Sequence, residues 1–226
     1  MIENVQSIVN ILIQKVFDFR FVNTICFPTK RNHEQTKYLS KESDLMNCRA
    51  PSSTYGFQKL SCEYFVRGAY EQYNLPYTIV RPFNCVGIGE DEAISDHEIT
   101  SGNVKLTLSH VVPDLILKCL KDQDPLHILG SGNQIRHYTN GRDISRGIRI
   151  CLEHENSFNN DFNISSSTST TVLELARMIW EKICPSKPFR YVSDPPFEYD
   201  VEKRIPDTLK AKEVLGFEAQ KRDRFH

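Results

Sequence analysis

The sequence predicts an α/β fold built on a parallel sheet. A helical stretch followed by a strand occurs twice in the first part of the chain, with a long polar loop between the two units. Helices and strands then keep alternating to the far end, as a parallel α/β layer requires. The composition, 39% hydrophobic and 25% charged over 226 residues, is that of an ordinary globular chain able to bury a sizeable core.

The elements follow in order. Val5, Ile8, Val9, Ile11, Leu12, Ile13 and Val16 line one broad face, which predicts a helix over 4–17. Phe19–Phe27 is a short apolar run that reads as a buried strand, and 28–52 is polar and reads as a long loop. From Ser53 to Tyr73 apolar residues recur at helical spacing, and Asn74-Leu-Pro76 ends that helix. Tyr77–Arg81 is a β-branched strand that runs into a Pro-Phe-Asn loop. Val112–Leu120 is a helix with Pro113 tolerated in its first turn. Leu126–Leu129 reads as a strand, Gly130-Ser-Gly132 as a hairpin turn, Asp143–Glu153 as a helix and Asp161–Ile164 as a strand. Thr171-Val-Leu-Glu174 has the pattern of a capping box and opens an amphipathic helix through Ile183. Asp207–Leu215 is a last short helix, stopped by Gly216.

Composition also narrows the function. A formal net charge of −1 gives no global field toward nucleic acid or an anionic membrane. Seven scattered cysteines, with no C-x-x-C among them, read as free thiols in a reducing compartment, and none has zinc-ligand spacing with histidine. No apolar run approaches bilayer length, and the N-terminus carries an acid where a secretion signal carries bases. The expected setting is cytoplasmic.

The pattern Tyr-x-x-x-Lys occurs twice, at Tyr55–Lys59 and Tyr199–Lys203. Residues four apart on a helix share one face. A lysine ammonium there stabilises a phenolate and lowers the tyrosine pKa from about 10 toward neutrality. Such a tyrosine can take the proton of a substrate hydroxyl. The chemistry requires a helix, and only the first copy opens one; the second lies among Pro195, Pro196 and Pro206.

The surroundings of the first copy are more specific. Pro51-Ser-Ser-Thr-Tyr55-Gly-Phe-Gln-Lys59-Leu-Ser-Cys-Glu63 is followed by Leu75-Pro-Tyr-Thr-Ile-Val-Arg81-Pro-Phe-Asn84-Cys-Val-Gly87. Val111-Val-Pro113, Ile128-Leu-Gly-Ser-Gly132-Asn-Gln-Ile-Arg136, Phe162-Asn-Ile and Arg204-Ile-Pro-Asp207 come after them in order. This ordered set resembles the extended short-chain dehydrogenase/reductase family, and within it the NAD-dependent epimerases and dehydratases of nucleotide sugars.

The resemblance implies a partial Rossmann-like parallel sheet with a small mixed α/β substrate-binding region. Residues 1–100 would form the C-terminal half of the cofactor domain, and 101–226 mainly the substrate region, with about 143–164 packing back on the first part. It implies Tyr55 as proton acceptor and Lys59 as its partner on the cofactor ribose, with Arg81 and Pro82 also beside the NAD. Asn84, Val112, Arg136 and Arg204 would contact the nucleotide sugar, the two arginines on its phosphates. It implies no nucleic-acid or membrane partner, and pairing of two copies through the Tyr55 helix.

Two departures bear on activity. None of the ten glycines forms the glycine-rich turn that holds a dinucleotide pyrophosphate, so the family's first three strand–helix units have no counterpart here. The position for the family's catalytic serine or threonine falls on Cys26, with Thr24 two residues upstream, and a thiol is a weak donor. Phe27-Pro28 replaces the Asp-Glu pair of the dehydratases, which favours epimerase-like or decarboxylase-like chemistry. The expectation is that this chain alone binds NAD poorly. Two alternatives stay open beside the epimerase/dehydratase reading: an inactive fragment or nucleotide-sugar-binding module, and an NADP-dependent sugar reductase.

Overall fold

In a computed structural model of the chain, the structure describes residues 39–47, 54–87, 99–101, 104–106, 110–196 and 201–220, with 39, 46, 47, Tyr55, 99–101 and 104–106 described for their backbone alone. The expected first helix over 4–17 and the strand at Phe19–Phe27 lie outside the described residues, as do Thr24 and Cys26.

The order begins with strand β1 (Leu39–Ser40) and a 3₁₀ turn at Glu42–Asn47. Both fall inside the stretch read as a loop. They are fixed by distant partners: β1 pairs in parallel with Ile205–Pro206, and the Glu42 carboxylate accepts the Asn163 N–H at 2.8 Å. Helix α1 spans Thr54–Tyr73 and strand β2 Thr78–Pro82, within a residue of expectation. The short strands β3 (Cys85–Val86), β4 (Ile99–Ser101) and β5 (Val104–Leu106) follow, then α2 (Val111–Leu120) and β6 (Leu126–Leu129). After β7 (Ile135–Arg136) and β8 (Thr139–Asn140) come α3 (Gly141–Glu153), a 3₁₀ turn at Glu155–Ser157 and β9 (Asn160–Ile164). The chain continues through β10 (Thr170–Thr171), α4 (Val172–Ile183), β11 (Tyr191–Asp194), β12 (Ile205–Pro206) and α5 (Leu209–Leu215).

The parallel character shows in the pairing. β2 runs parallel to β9, with Thr78 opposite Asn160 and Pro82 opposite Ile164. β6 runs parallel to β11 and β3 to β8. Residues 78–81 are all buried, as expected for a parallel strand covered on both faces. The core has two parts. Val80, Phe162 and Ile164 of the β2/β9 pair pack with Ile144, Cys151, Ala211, Leu215 and Phe217. Leu126 and Ile128 of β6 pack with Leu115 and Cys119 of α2 and with Leu175, Ile179 and Trp180 of α4.

Local signals in the sequence act as expected where they are short-range. Thr171 Oγ1 accepts the Glu174 N–H at 3.1 Å and Glu174 Oε2 accepts the Thr171 N–H at 2.8 Å, so the capping box is complete. Gly216 ends α5 in the left-handed region, at φ 62°. One reading needs correction. Gly130 and Gly132 do make a turn, at φ 75° and 77°, but its flanking strands do not form a hairpin. β6 pairs with β11, and β7 pairs antiparallel with β10.

Candidate active site

The backbone of α1 is helical from Thr54 to Tyr73, so Tyr55 and Lys59 stand one turn apart on one side of it. Lys59 is half-buried. The second copy of the motif is not helical at residues 201–204, where Lys203 instead bridges Ile135 as a strand would.

Arg81 corrects the sequence reading. Its side chain is fully enclosed and held between carboxylates: Nε donates to Glu63 Oε1 at 2.8 Å, and Nη2 to Glu63 Oε2 and to Asp161 Oδ2, both at 2.7 Å. A guanidinium with no exposed surface cannot touch a cofactor. Its role is to tie α1 to β2 and β9. Pro82, the last residue of β2, is half-buried opposite Ile164.

Asn84 sits just beyond the carboxyl end of β2 with φ 38°. Its Nδ2 donates to the His137 carbonyl at 3.2 Å, and its own carbonyl accepts the Thr139 N–H at 3.0 Å. Asn84 thus ties the end of the sheet to residues 137–139. His137 in turn fastens the serine-rich turn after β9, with Nδ1 2.7 Å from the Ser166 carbonyl and Nε2 2.8 Å from Ser169 Oγ. Burial pushes the His137 pKa down, against the Ser166 bond that raises it. The neutral ring therefore donates from Nδ1 to the carbonyl and accepts at Nε2 from the serine hydroxyl. Val112 is buried in the core beside Leu115, so its side chain serves packing while the half-buried Val111 precedes it.

Arg136 and Arg204 are far apart in sequence and meet in the fold. The Ile135 N–H donates to the Glu202 carbonyl at 2.8 Å, and the Arg204 N–H to the Ile135 carbonyl at 3.0 Å. Arg136 Nη1 donates to the Ile135 carbonyl at 2.9 Å. The charges of both arginines act on Tyr138, which the sequence reading missed. Its hydroxyl is buried with no hydrogen-bond partner among the described residues. Burial pushes its pKa up to about 12, although the charges of Arg136 and Arg204 both work to lower it. A neutral phenol is a hydrogen-bond donor. Arg136 at the end of β7, Tyr138 two residues on and Arg204 just before β12 thus lie near enough for both guanidinium charges to act on one buried O–H. The resemblance had already pointed to Arg136 and Arg204; Tyr138 showed in the sequence only as the end of the Arg-His-Tyr run at 136–138.

A family model for NAD-dependent epimerases and dehydratases matches residues 7–165. The chain belongs to the NAD-dependent epimerase/dehydratase family. Among curated relatives, UDP-glucuronic acid decarboxylase 4 of Arabidopsis thaliana is 34% identical over 108 residues, covering 48% of this chain and 23% of the relative. The structure resembles UDP-glucose 4-epimerase of Thermotoga maritima with UDP-glucose, at a TM-score of 0.72 and 28% identity over 89% of this chain and 58% of that one. UDP-glucuronic acid 4-epimerase of Bacillus cereus, in complex with UDP-glucuronic acid and NAD, shares the fold at a TM-score of 0.65 and 22% identity, over 89% and 56% of the two chains. This chain thus spans about a quarter of that curated decarboxylase and just over half of each epimerase.

Whether this family member's residues fit NAD has a divided answer. Of the residues that the resemblance assigns to NAD, Lys59 lies in the first turns of α1 and Pro82 ends β2. The pyrophosphate needs a glycine-rich strand–turn–helix, and the 226 residues contain none. Enclosure of Arg81 removes one further expected contact. The residues present therefore lack the turn that would hold the pyrophosphate of the group.

Proposed function

We propose that this chain supplies the acid–base and substrate-holding part of a nucleotide-sugar site. Arg136, Arg204 and Tyr138 hold the diphosphate, and Tyr55 takes a proton from a sugar hydroxyl. Lys59 stands one helical turn from Tyr55 and stabilises its phenolate. NAD, where bound, supplies the hydride acceptor for the sugar carbon. Asn84, fixed by its own bonds to residues 137 and 139, sets the distance between the sheet end and the anion site. The reading also includes pairing of two copies through α1, whose outer side exposes Phe57, Tyr64 and Phe65.

The observation that carries the proposal is that Arg136 and Arg204 both act electrostatically on the buried hydroxyl of Tyr138. Similarity to proteins named as UDP-sugar decarboxylases and epimerases supports a uridine diphosphate sugar as the ligand. Phe27-Pro28, in place of an Asp-Glu pair, favours epimerisation or decarboxylation over dehydration.

Calorimetric titration with UDP and with UDP-glucuronate, without NAD, tests the holding site. Saturable binding of both is expected, weakened roughly tenfold or more in Arg136→Ala, since a hydrogen bond from a charged donor contributes about 1.5–3 kcal/mol. Tyr55→Phe should leave UDP binding unchanged. Absence of UDP binding, or an Arg136→Ala variant that binds as the parent does, overturns the reading. A second reading, a binding module without turnover, is favoured by the missing glycine-rich turn. It predicts UDP-sugar binding with no NAD-dependent conversion of UDP-glucuronate or UDP-glucose by mass spectrometry.

A further inference from the structure

The helix that carries Tyr55 and Lys59 is tied to the sheet by buried charge. Phe57 and Phe65 point outward, at 54% and 73% exposure, while Glu63 is fully buried. Tyr55, Lys59 and Glu63 follow one another at steps of four residues, so all three lie along one side of α1. Lysine and glutamate four apart on a helix are neighbours that attract. An unengaged Glu63 would therefore compete with Tyr55 for the Lys59 ammonium.

The structure prevents that competition. Both Glu63 oxygens accept from Arg81, at 2.8 and 2.7 Å in a bidentate fork. Among the described residues, the other charges packed around this pair are Arg67 on α1, 4.0 Å from Glu63, and Asp161 on β9, 2.7 Å from Arg81. Asp161 also holds Lys210 of α5 at 2.7 Å and Arg67 at 3.0 Å. Glu63 is thus consumed from the β2 side.

We propose that Arg81 is a positioning residue for the Tyr55–Lys59 pair, which keeps the Glu63 carboxylate from pairing with Lys59 one turn away. The inference rests on the reading of Tyr55 and Lys59 as the acid–base pair. It predicts an asymmetry that a purely structural clamp lacks. Loss of Arg81 releases a carboxylate toward Lys59 and weakens the phenolate. Loss of the Glu63 charge does not.

The test is the ionisation of Tyr55, read as the 295 nm titration of the chain minus that of its Tyr55→Phe variant. The same subtraction is repeated in Arg81→Gln, Glu63→Gln and double-variant backgrounds, with far-UV circular dichroism confirming the fold. The Tyr55 midpoint should lie below the ordinary value of about 10 in the parent and rise by about one pH unit in Arg81→Gln. It should stay at the parent value in Glu63→Gln and return there in the double variant. A parent midpoint near 10 would sink the Tyr–Lys reading and this inference with it. A depressed parent midpoint that Arg81→Gln leaves in place, because Glu63 turns to Arg67 or takes a proton, overturns the inference alone. So does a Glu63→Gln variant that raises the midpoint as far as Arg81→Gln does. Should Arg81→Gln fail to fold, Glu63→Gln against the parent still decides, since any rise there contradicts the proposal.

Discussion

Replacing Asp161 by asparagine should cost this protein about 3 kcal/mol at neutral pH and flatten its acid sensitivity. Asp161 accepts from Arg81 at 2.7 Å, Arg67 at 3.0 Å and Lys210 at 2.7 Å, with 12% of its side chain exposed. Breaking a buried ion pair on one side costs about 3–5 kcal/mol, because the partner charge stays buried. Arg81 cannot reach water, whereas Arg67 and Lys210 are about a third exposed, so the lower end of that range applies. Burial works to raise the Asp161 pKa, but the Arg81 charge and the Lys210 bond outweigh it and hold the carboxyl at about 2. The unfolded chain titrates this group near 3.9. A depressed folded value means the contribution is complete above about pH 4 and is lost as the pH falls toward 2. Its size is about 2–3 kcal/mol. Urea unfolding at pH 7, 4 and 2.5, followed by circular dichroism and by the fluorescence of the single tryptophan, Trp180, measures both effects. The reasoning fails if Asp161→Asn lies within 1 kcal/mol of the parent at pH 7. It also fails if the two proteins lose stability equally between pH 4 and 2.5.

Further outcomes follow from other contacts. Gly147→Ala should destabilise by about 1–3 kcal/mol in a urea titration despite alanine's better helix propensity, since a Cβ there would lie 2.5 Å from Ile164 Cγ2 and 3.1 Å from Phe217. Thr171→Ala should cost about 1 kcal/mol by removing the oxygen that caps α4; Thr171→Ser should restore most of it. Burial, together with the neighbouring Cys184, pushes the Cys119 thiol up to about 11. Iodoacetamide at pH 8 should therefore label exposed Cys85 well before Cys119, as read by peptide mass spectrometry; equal rates would contradict the burial.

Elements carried by their own periodicity were legible in the sequence. The helices at 54–73, 111–120 and 172–183 show apolar spacing or caps within a few residues of each other, and the strands at 78–82 and 126–129 are apolar runs. Two-residue strands have no such signal. Leu39–Ser40 is a strand only because Ile205–Pro206 lies beside it. Tyr191–Asp194, largely exposed, is a strand through its parallel pairing with Leu126–Leu129.

The candidate site divides along the same line. Sequence by itself determined that Tyr55 and Lys59 share a helix face, because that relation spans one turn of local hydrogen bonding. It also determined that no glycine-rich dinucleotide turn lies within these residues. Tertiary structure alone decided what Arg81 does. The same arginine suits a cofactor contact or a buried clamp until Glu63, 18 residues away, and Asp161, 80 residues away, close around it. Tertiary structure also brought Arg136, Tyr138 and Arg204 together, through backbone bonds between Ile135 and residues 202–204. Long-range pairing of this kind depends on which strands find each other, and no local stretch of residues carries that information.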